Sequence, residues 1–189
     1  MTKKLDVDAF SKQICDALRS SFSELFAAHP DERFYVCGVF TDDSLQFAYP
    51  VANSEEALAT KVQHYQKKVD PKYGTNSNRN TMRWSYGDWG YFPNIGKKHF
   101  AGINKKLQKN FDAPEEEFEL QIGPLWNALF GGFSQLEREK FFGKGKQRSQ
   151  ITLLVVGDLP EELVETFAKE LNPPKVFENW KNWDFGAPE

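Results

Sequence analysis

The segment "RFYVCGVFTDDSLQFAYPVAN", residues 33–53, constrains the fold more than any other stretch. Two apolar, aromatic and β-branched runs flank "TDDS", whose Asp42, Asp43 and Ser44 are turn formers, so the pattern predicts a β-hairpin with strands near 34–41 and 45–51. Both runs are too apolar to leave one face in water. The sheet is therefore expected to be covered by helices.

The covering helices are written around the hairpin. Val7, Phe10, Ile14, Leu18, Phe22, Leu25 and Phe26 recur at spacings of three and four, which predicts an amphipathic helix over 6–28 that "HPDER" ends. Asn53 stands three residues before Glu56, a capping-box spacing that predicts a helix with Leu58, Val62, Tyr65 and Val69 inward. "DPKYGTNSNRN", 70–80, reads as a surface loop, and "TMRW" as a short strand. After Pro93 a helix carries Phe100, Ile103, Leu107 and Phe111 on one face. Another starts at Asp112, Pro114 and Glu115 with Phe118 and Ile122 inward, and Gly123–Pro124 are expected to break it. A further helix then holds Leu125, Leu129, Phe130, Phe133 and Leu136, bent at Gly131–Gly132. "GKGKQRS" is a basic loop leading into "ITLLVV", a buried strand near 151–156. Asp158, Pro160 and Glu161 open a helix with Leu163, Phe167 and Leu171 inward, stopped by Pro173 and Pro174. In the tail, Trp180, Trp183 and Phe185 need a surface to dock on. The expected architecture is a single α+β domain over 1–189, with a small, mainly antiparallel sheet packed by several helices.

The 189 residues suffice for one sizeable core, and 40% hydrophobic with 27% charged residues is the composition of a folded globular chain. Seventeen Phe and five Trp make it a core of rings. A formal net charge of −3 speaks against general nucleic-acid binding. The start "MTKKLDVDAF" lacks the apolar core of a signal peptide, and no run approaches the ~20 apolar residues of a membrane span. Cys15 and Cys37 sit in unrelated apolar patterns, as reduced thiols of a cytoplasmic protein do.

Chemical signatures are sparse. His29, His64 and His99 form no HxxxH or HExxH pair, so no metal site is expected, and no cofactor fingerprint is present. There is no GxSxG elbow. Lys144, Lys146 and Arg148 mix with glycines but lack the phosphate-loop form and lead into a strand. The paired acids occur at turns and helix starts, where backbone dipoles favour them. No catalytic residue is assigned.

"RWSYGDWGYF", 83–92, is the strongest binding candidate. Ser85 and Asp88 have the spacing of a capped turn, Trp84 and Trp89 would anchor it on the core, and Arg83 would pair with Asp88 or another acid. Tyr86 and Tyr91 are expected to point outward. Arg and aromatic residues are also the types enriched in binding hot spots and ring-lined pockets.

The aromatic strand "FYVCGVFTDD", then "YPVANSEEAL", then "RWSYGDWGYF" together resemble a bacterial family of unknown function, number 4303. The carriers are Gly38, Thr41, Asp42, Asn53, Glu56, Arg83, Trp84, Ser85 and Trp89. The resemblance implies a bacterial cytoplasmic protein and carries over no catalytic residue. Small acidic families of this kind also occur among toxin-immunity proteins.

Two binding functions follow as expectations, beside a third reading as a structural accessory domain with no ligand at all. One is a non-enzymatic protein-binding module, with an immunity-type inhibitor of a toxin as its particular form. It would bind through Arg83, Trp84, Tyr86, Asp88, Trp89 and Tyr91. The other is an enzyme or small-ligand binder with a pocket lined by Tyr35, Arg83, Trp84, Asp88 and Trp89. Partner identity and oligomeric state are not legible in the sequence.

Overall fold

The structure is a computed structural model, and it describes residues 5–93 and 95–182. Its centre is a three-stranded sheet of β1 (Phe34–Asp42), β2 (Tyr49–Ser54) and β3 (Thr152–Asp158), in the order β2-β1-β3. β1 pairs antiparallel with β2 and parallel with β3, where Val36 faces Thr152 and Asp42 faces Asp158. The sheet is thus mixed, not mainly antiparallel. The long helical crossover between β2 and β3 is what lets the last strand enter parallel.

Seven α-helices surround the sheet among the described residues. They are α1 (Val7–Ala28), α2 (Glu55–Lys68), α3 (Asn76–Trp84), α4 (Lys97–Phe111), α5 (Glu115–Arg138), α6 (Glu161–Leu171) and α7 (Pro174–Lys181). Period-2 alternation sorts the strands between two cores. Cys37, Val39, Leu153 and Val155 face a larger core with Phe22 of α1, Phe100 of α4 and Phe133 of α5. Val36, Leu154 and Val156 face a smaller one with Leu58 and Val62 of α2, Met82 of α3 and Trp89. Both faces are covered, as the hairpin's composition requires. Gly38 keeps β1 and β3 together, since a Cβ there would stand 2.4 Å from the Leu154 carbonyl oxygen.

The outer edge of β3 is closed by a side chain. Asn172, just after α6, accepts from the Leu153 amide at 2.8 Å and donates to the Leu153 carbonyl at 2.7 Å. The amide imitates one residue of a fourth strand.

Several elements depart from the sequence reading. The hairpin connection runs 43–48, so its second strand begins at Tyr49 instead of 45. Asp42 Oδ1 accepts from the Gln46 amide at 2.9 Å, and Leu45 is buried with a left-handed φ of 48°, so this stretch curls away from the ladder. The cap of α2 is Ser54, whose hydroxyl accepts from the Ala57 amide at 3.0 Å, while Asn53 is a buried strand residue. Leu58 and Val62 of α2 are buried as expected, but Val69 is 64% exposed. The stretch 70–84 is neither loop nor strand: a short turn over Pro71–Gly74 leads to the Thr75 cap of α3. α5 continues through Pro124, because its C-terminal half is held by Leu125, Leu129 and Phe133 packed in the larger core. Pro173 and Pro174 end α6 but also start α7, since proline suits a first helical position. Trp180 packs on the smaller core, whereas Trp183 and Phe185 lie outside the described residues.

No helix among the described residues is long and apolar enough to cross a membrane.

Candidate binding cleft at Tyr35 and Arg83

A cleft of about 560 Å³ opens where β1 and β3 begin, between the end of α1, the start of α2, the end of α3 and the turn at 147–151. Its apolar lining is Phe26, Phe34 and Ile151. Its polar walls carry His29, Glu32, Arg33, Tyr35, Glu55 and Arg83, with Gln147 and Gln150 as a further pair.

Helix ends place the central residues. Ser54 caps α2, so Glu55 falls in its first turn, where a carboxylate is favoured by the helix dipole. α3 ends at Trp84, which leaves Arg83 in its last turn, where a cation is favoured. The two meet as a fork: Arg83 Nη1 donates to Glu55 Oε2 at 3.0 Å, and Nη2 donates to Oε1. The guanidinium also lies 3.9 Å from the centre of the Tyr35 ring.

A buried network holds this stack from behind. The Arg83 carbonyl accepts from the Tyr35 hydroxyl and from Trp89 Nε1, both at 2.9 Å. Asn53 Nδ2 donates to the Tyr35 oxygen at 2.8 Å, and Asn53 Oδ1 accepts from the Gly90 amide at 3.1 Å. Gly90 is required there, since a Cβ would stand 2.7 Å from the Ala57 Cβ. Tyr35, Asn53 and Trp89 are each at most 5% exposed, so the wall is rigid and dry on its inner side.

Other polar groups of the cleft are also paired. Arg33 gives Glu56 its backbone amide at 2.8 Å and its Nε at 2.9 Å. His29 Nδ1 stands 3.3 Å from Glu32, whose other oxygen accepts from the Tyr91 hydroxyl at 2.7 Å. The hydrogen bond from Arg83 holds the Glu55 carboxyl below the usual carboxylate range, against the opposing effect of burial. Burial pushes the Tyr35 phenol up. Near neutral pH Glu55 is therefore a carboxylate and Tyr35 a phenol.

The structure brings together only part of the predicted set. Tyr35 and Arg83 line the cleft. Trp84 and Tyr86 instead line a second concavity with Leu154, Val156 and Trp180. Asp88 does not pair with Arg83: it accepts from the Tyr65 hydroxyl at 2.8 Å and lies 3.9 Å from Lys61 Nζ. Trp89 is core. Tyr86 and Tyr91 do not point outward, since Tyr86 packs on Phe40 at 5.6 Å and Tyr91 on Phe34 at 5.5 Å. In the "GKGKQRS" loop Arg148 is buried, donating to Glu137 at 2.7 Å and to the Leu171 carbonyl at 2.9 Å, so it serves the fold. Glu32, Arg33, Glu55, Gln147 and Gln150 were not singled out. Only Glu55, acidic and directly after a cap residue, carried a readable signal.

The model of a family described as a domain of unknown function (DUF4303) matches residues 14–173. The chain matches no curated protein and no solved structure.

Proposed function

Given that the chain belongs to the DUF4303 family, we propose that it works by binding and not by catalysis, holding a segment of a protein partner in the cleft at Tyr35 and Arg83. The observation that carries this reading is the internal pairing of the cleft's groups: Arg83 with Glu55, Arg33 with Glu56, and Glu32 with the Tyr91 hydroxyl. The Glu55 carboxylate is already taken up by the Arg83 fork, and the buried Tyr35 hydroxyl is spent on the Arg83 carbonyl. What the cleft offers is an apolar floor with exposed Arg33, Gln147 and Gln150 at its rim. Arginine beside buried aromatics is a common composition of protein-binding hot spots.

An immunity-type inhibitor is the particular form of this reading. The net charge of −3 suits a basic target, and a bacterial cytoplasm suits the free buried thiols Cys15 and Cys37. A small polar ligand is the second reading, favoured by a volume within the range of small-molecule pockets.

Affinity capture from the native lysate tests the proposal. Arg33→Ala/Gln147→Ala/Gln150→Ala changes only exposed rim side chains and leaves the fold intact. A stoichiometric protein captured by the wild type and lost by the triple variant supports protein binding. Equal capture by both moves the interface elsewhere. Absence of a protein, with a small molecule co-purifying, favours the second reading.

A further inference from the structure

At the end of β1 far from the cleft, the surface is built of rings. Phe40 packs on Phe47 at 5.2 Å, on Tyr86 at 5.6 Å and on Phe92 at 4.8 Å, and Phe47 packs on Tyr49 at 5.4 Å. The five come from four places in the chain: β1, the 43–48 connection, the start of β2 and the segment after α3. Core rings such as Phe22, Phe100 and Phe133 are closed over completely, whereas each of these five stays partly exposed. None of them lines the cleft. The rings hold one another in place, so little ordering is needed when something docks on them.

Carboxylates border this patch. Side chains two apart on a strand share a face, so Asp42 lies on the face of Phe40. The parallel register sets Phe40 beside Val156 and Asp42 beside Asp158, which brings a second acid to the same border. Asp43 follows, its amide donating to the Asp158 carbonyl at 3.0 Å. Among the described residues no cation pairs with any of the three carboxylates, which accept only from the Gln46 amide at Asp42 and the Ser44 hydroxyl at Asp43. In the cleft, by contrast, Glu55 and Glu56 are each held by an arginine. Charge complementarity therefore calls for a cation, and the rings select which one. A guanidinium is planar and weakly hydrated, stacks on aromatic faces and forks a carboxylate, whereas an ammonium does none of these as well. We propose that this patch is a docking surface for an arginine-bearing segment of a basic protein partner, its guanidinium groups laid on the rings and held by Asp43 and Asp158. The proposal stands independently of the cleft and of what the cleft binds.

A fluorescein-labelled peptide of alternating arginine and glycine serves as the probe, and its lysine counterpart as the control. Each is titrated into the full-length protein at low ionic strength and again in added salt. The arginine peptide is expected to bind saturably, about fivefold or more tighter than the lysine peptide, and to weaken as salt rises. Asp43→Asn/Asp158→Asn changes two exposed side chains and keeps the oxygen that accepts from Ser44. It should weaken the arginine peptide by about fivefold or more, at an unchanged melting temperature. Phe47→Leu, which keeps apolar bulk but loses the ring, should narrow the preference for arginine over lysine. Arg33→Ala/Gln147→Ala/Gln150→Ala, on the rim of the cleft, should bind the arginine peptide as the wild type does. Four results would overturn the proposal: no saturable binding at low ionic strength, equal affinity for the two peptides, undiminished binding by the asparagine variant, or loss of binding in the cleft-rim variant.

Discussion

The guanidinium of Arg83 lies on the face of Tyr35, 3.9 Å from the ring centre, while the backbone carbonyl of the same arginine accepts the Tyr35 hydroxyl at 2.9 Å. One residue thus grips both the face and the edge of the other. The Glu55 carboxylate completes the clamp by taking two guanidinium hydrogen bonds. Three separate elements, β1, α2 and the end of α3, are locked at the wall of the cleft.

Arg83→Ala removes the stacked cation and leaves Glu55 without its fork. With the Arg83 side chain 16% exposed and that of Glu55 26% exposed, the expected cost is about 2 kcal/mol. For a chain of this length that lowers the melting temperature by about 4–8 °C. Arg83→Lys should recover only part of it, because an ammonium cannot fork. Thermal unfolding of the two variants checks both statements.

Glu55 makes stability fall in acid. Its folded-state pKa lies below the ordinary carboxylate value because Arg83 hydrogen-bonds the ionised form. Its contribution is therefore complete above the unfolded-state value of about 4.3 and is lost as pH drops through the depressed folded value. Urea midpoints measured from pH 6 down to pH 3 should decline, and Glu55→Gln should flatten that decline. An unchanged slope in the variant would remove Glu55 from the account.

Trp89 is 3% exposed and donates its indole N–H to the Arg83 carbonyl. Trp89→Ala is expected to cost about 3–5 kcal/mol. Trp89→Phe keeps most of the packing but forgoes the hydrogen bond, which is worth about 1 kcal/mol. The denaturant midpoints of the pair separate the indole's volume from its polar contact.

Gly90→Ala should destabilise because its Cβ would stand 2.7 Å from that of Ala57. Ala57→Gly removes the obstacle, so the double variant should regain stability relative to Gly90→Ala, less the up to ~1 kcal/mol that glycine costs inside a helix. Additive losses in this cycle would mean that close approach is not why glycine stands there.

How far the fold was readable follows from where apolar periodicity existed. α1 and β3 were legible because Phe10, Ile14, Leu18 and Phe22 recur at helical spacing and "ITLLVV" is short and continuous. α3 was not, because Met82 is its only buried residue, so no apolar stripe announces it. The parallel pairing of β1 with β3 joins residues more than a hundred positions apart, and no local signal encodes it. At the cleft, the aromatic richness of 83–92 drew notice to Arg83, which does line it, but composition cannot tell a ring that lines a cavity from one that fills a core. Trp84 and Trp89 therefore read alike in sequence, as core anchors, yet one lines a concavity and the other is buried. Gln147 and Gln150 reach the cleft only through tertiary folding of the 147–151 turn.

Hydrogen exchange on the protein alone and in complex with its captured partner tests the central claim most directly. The account predicts slowed exchange at 29–35, at 54–56 and at 147–151, the segments that build the cleft. Unchanged exchange there, with protection instead around the exposed Phe111 and Leu120 of α4 and α5, would contradict it.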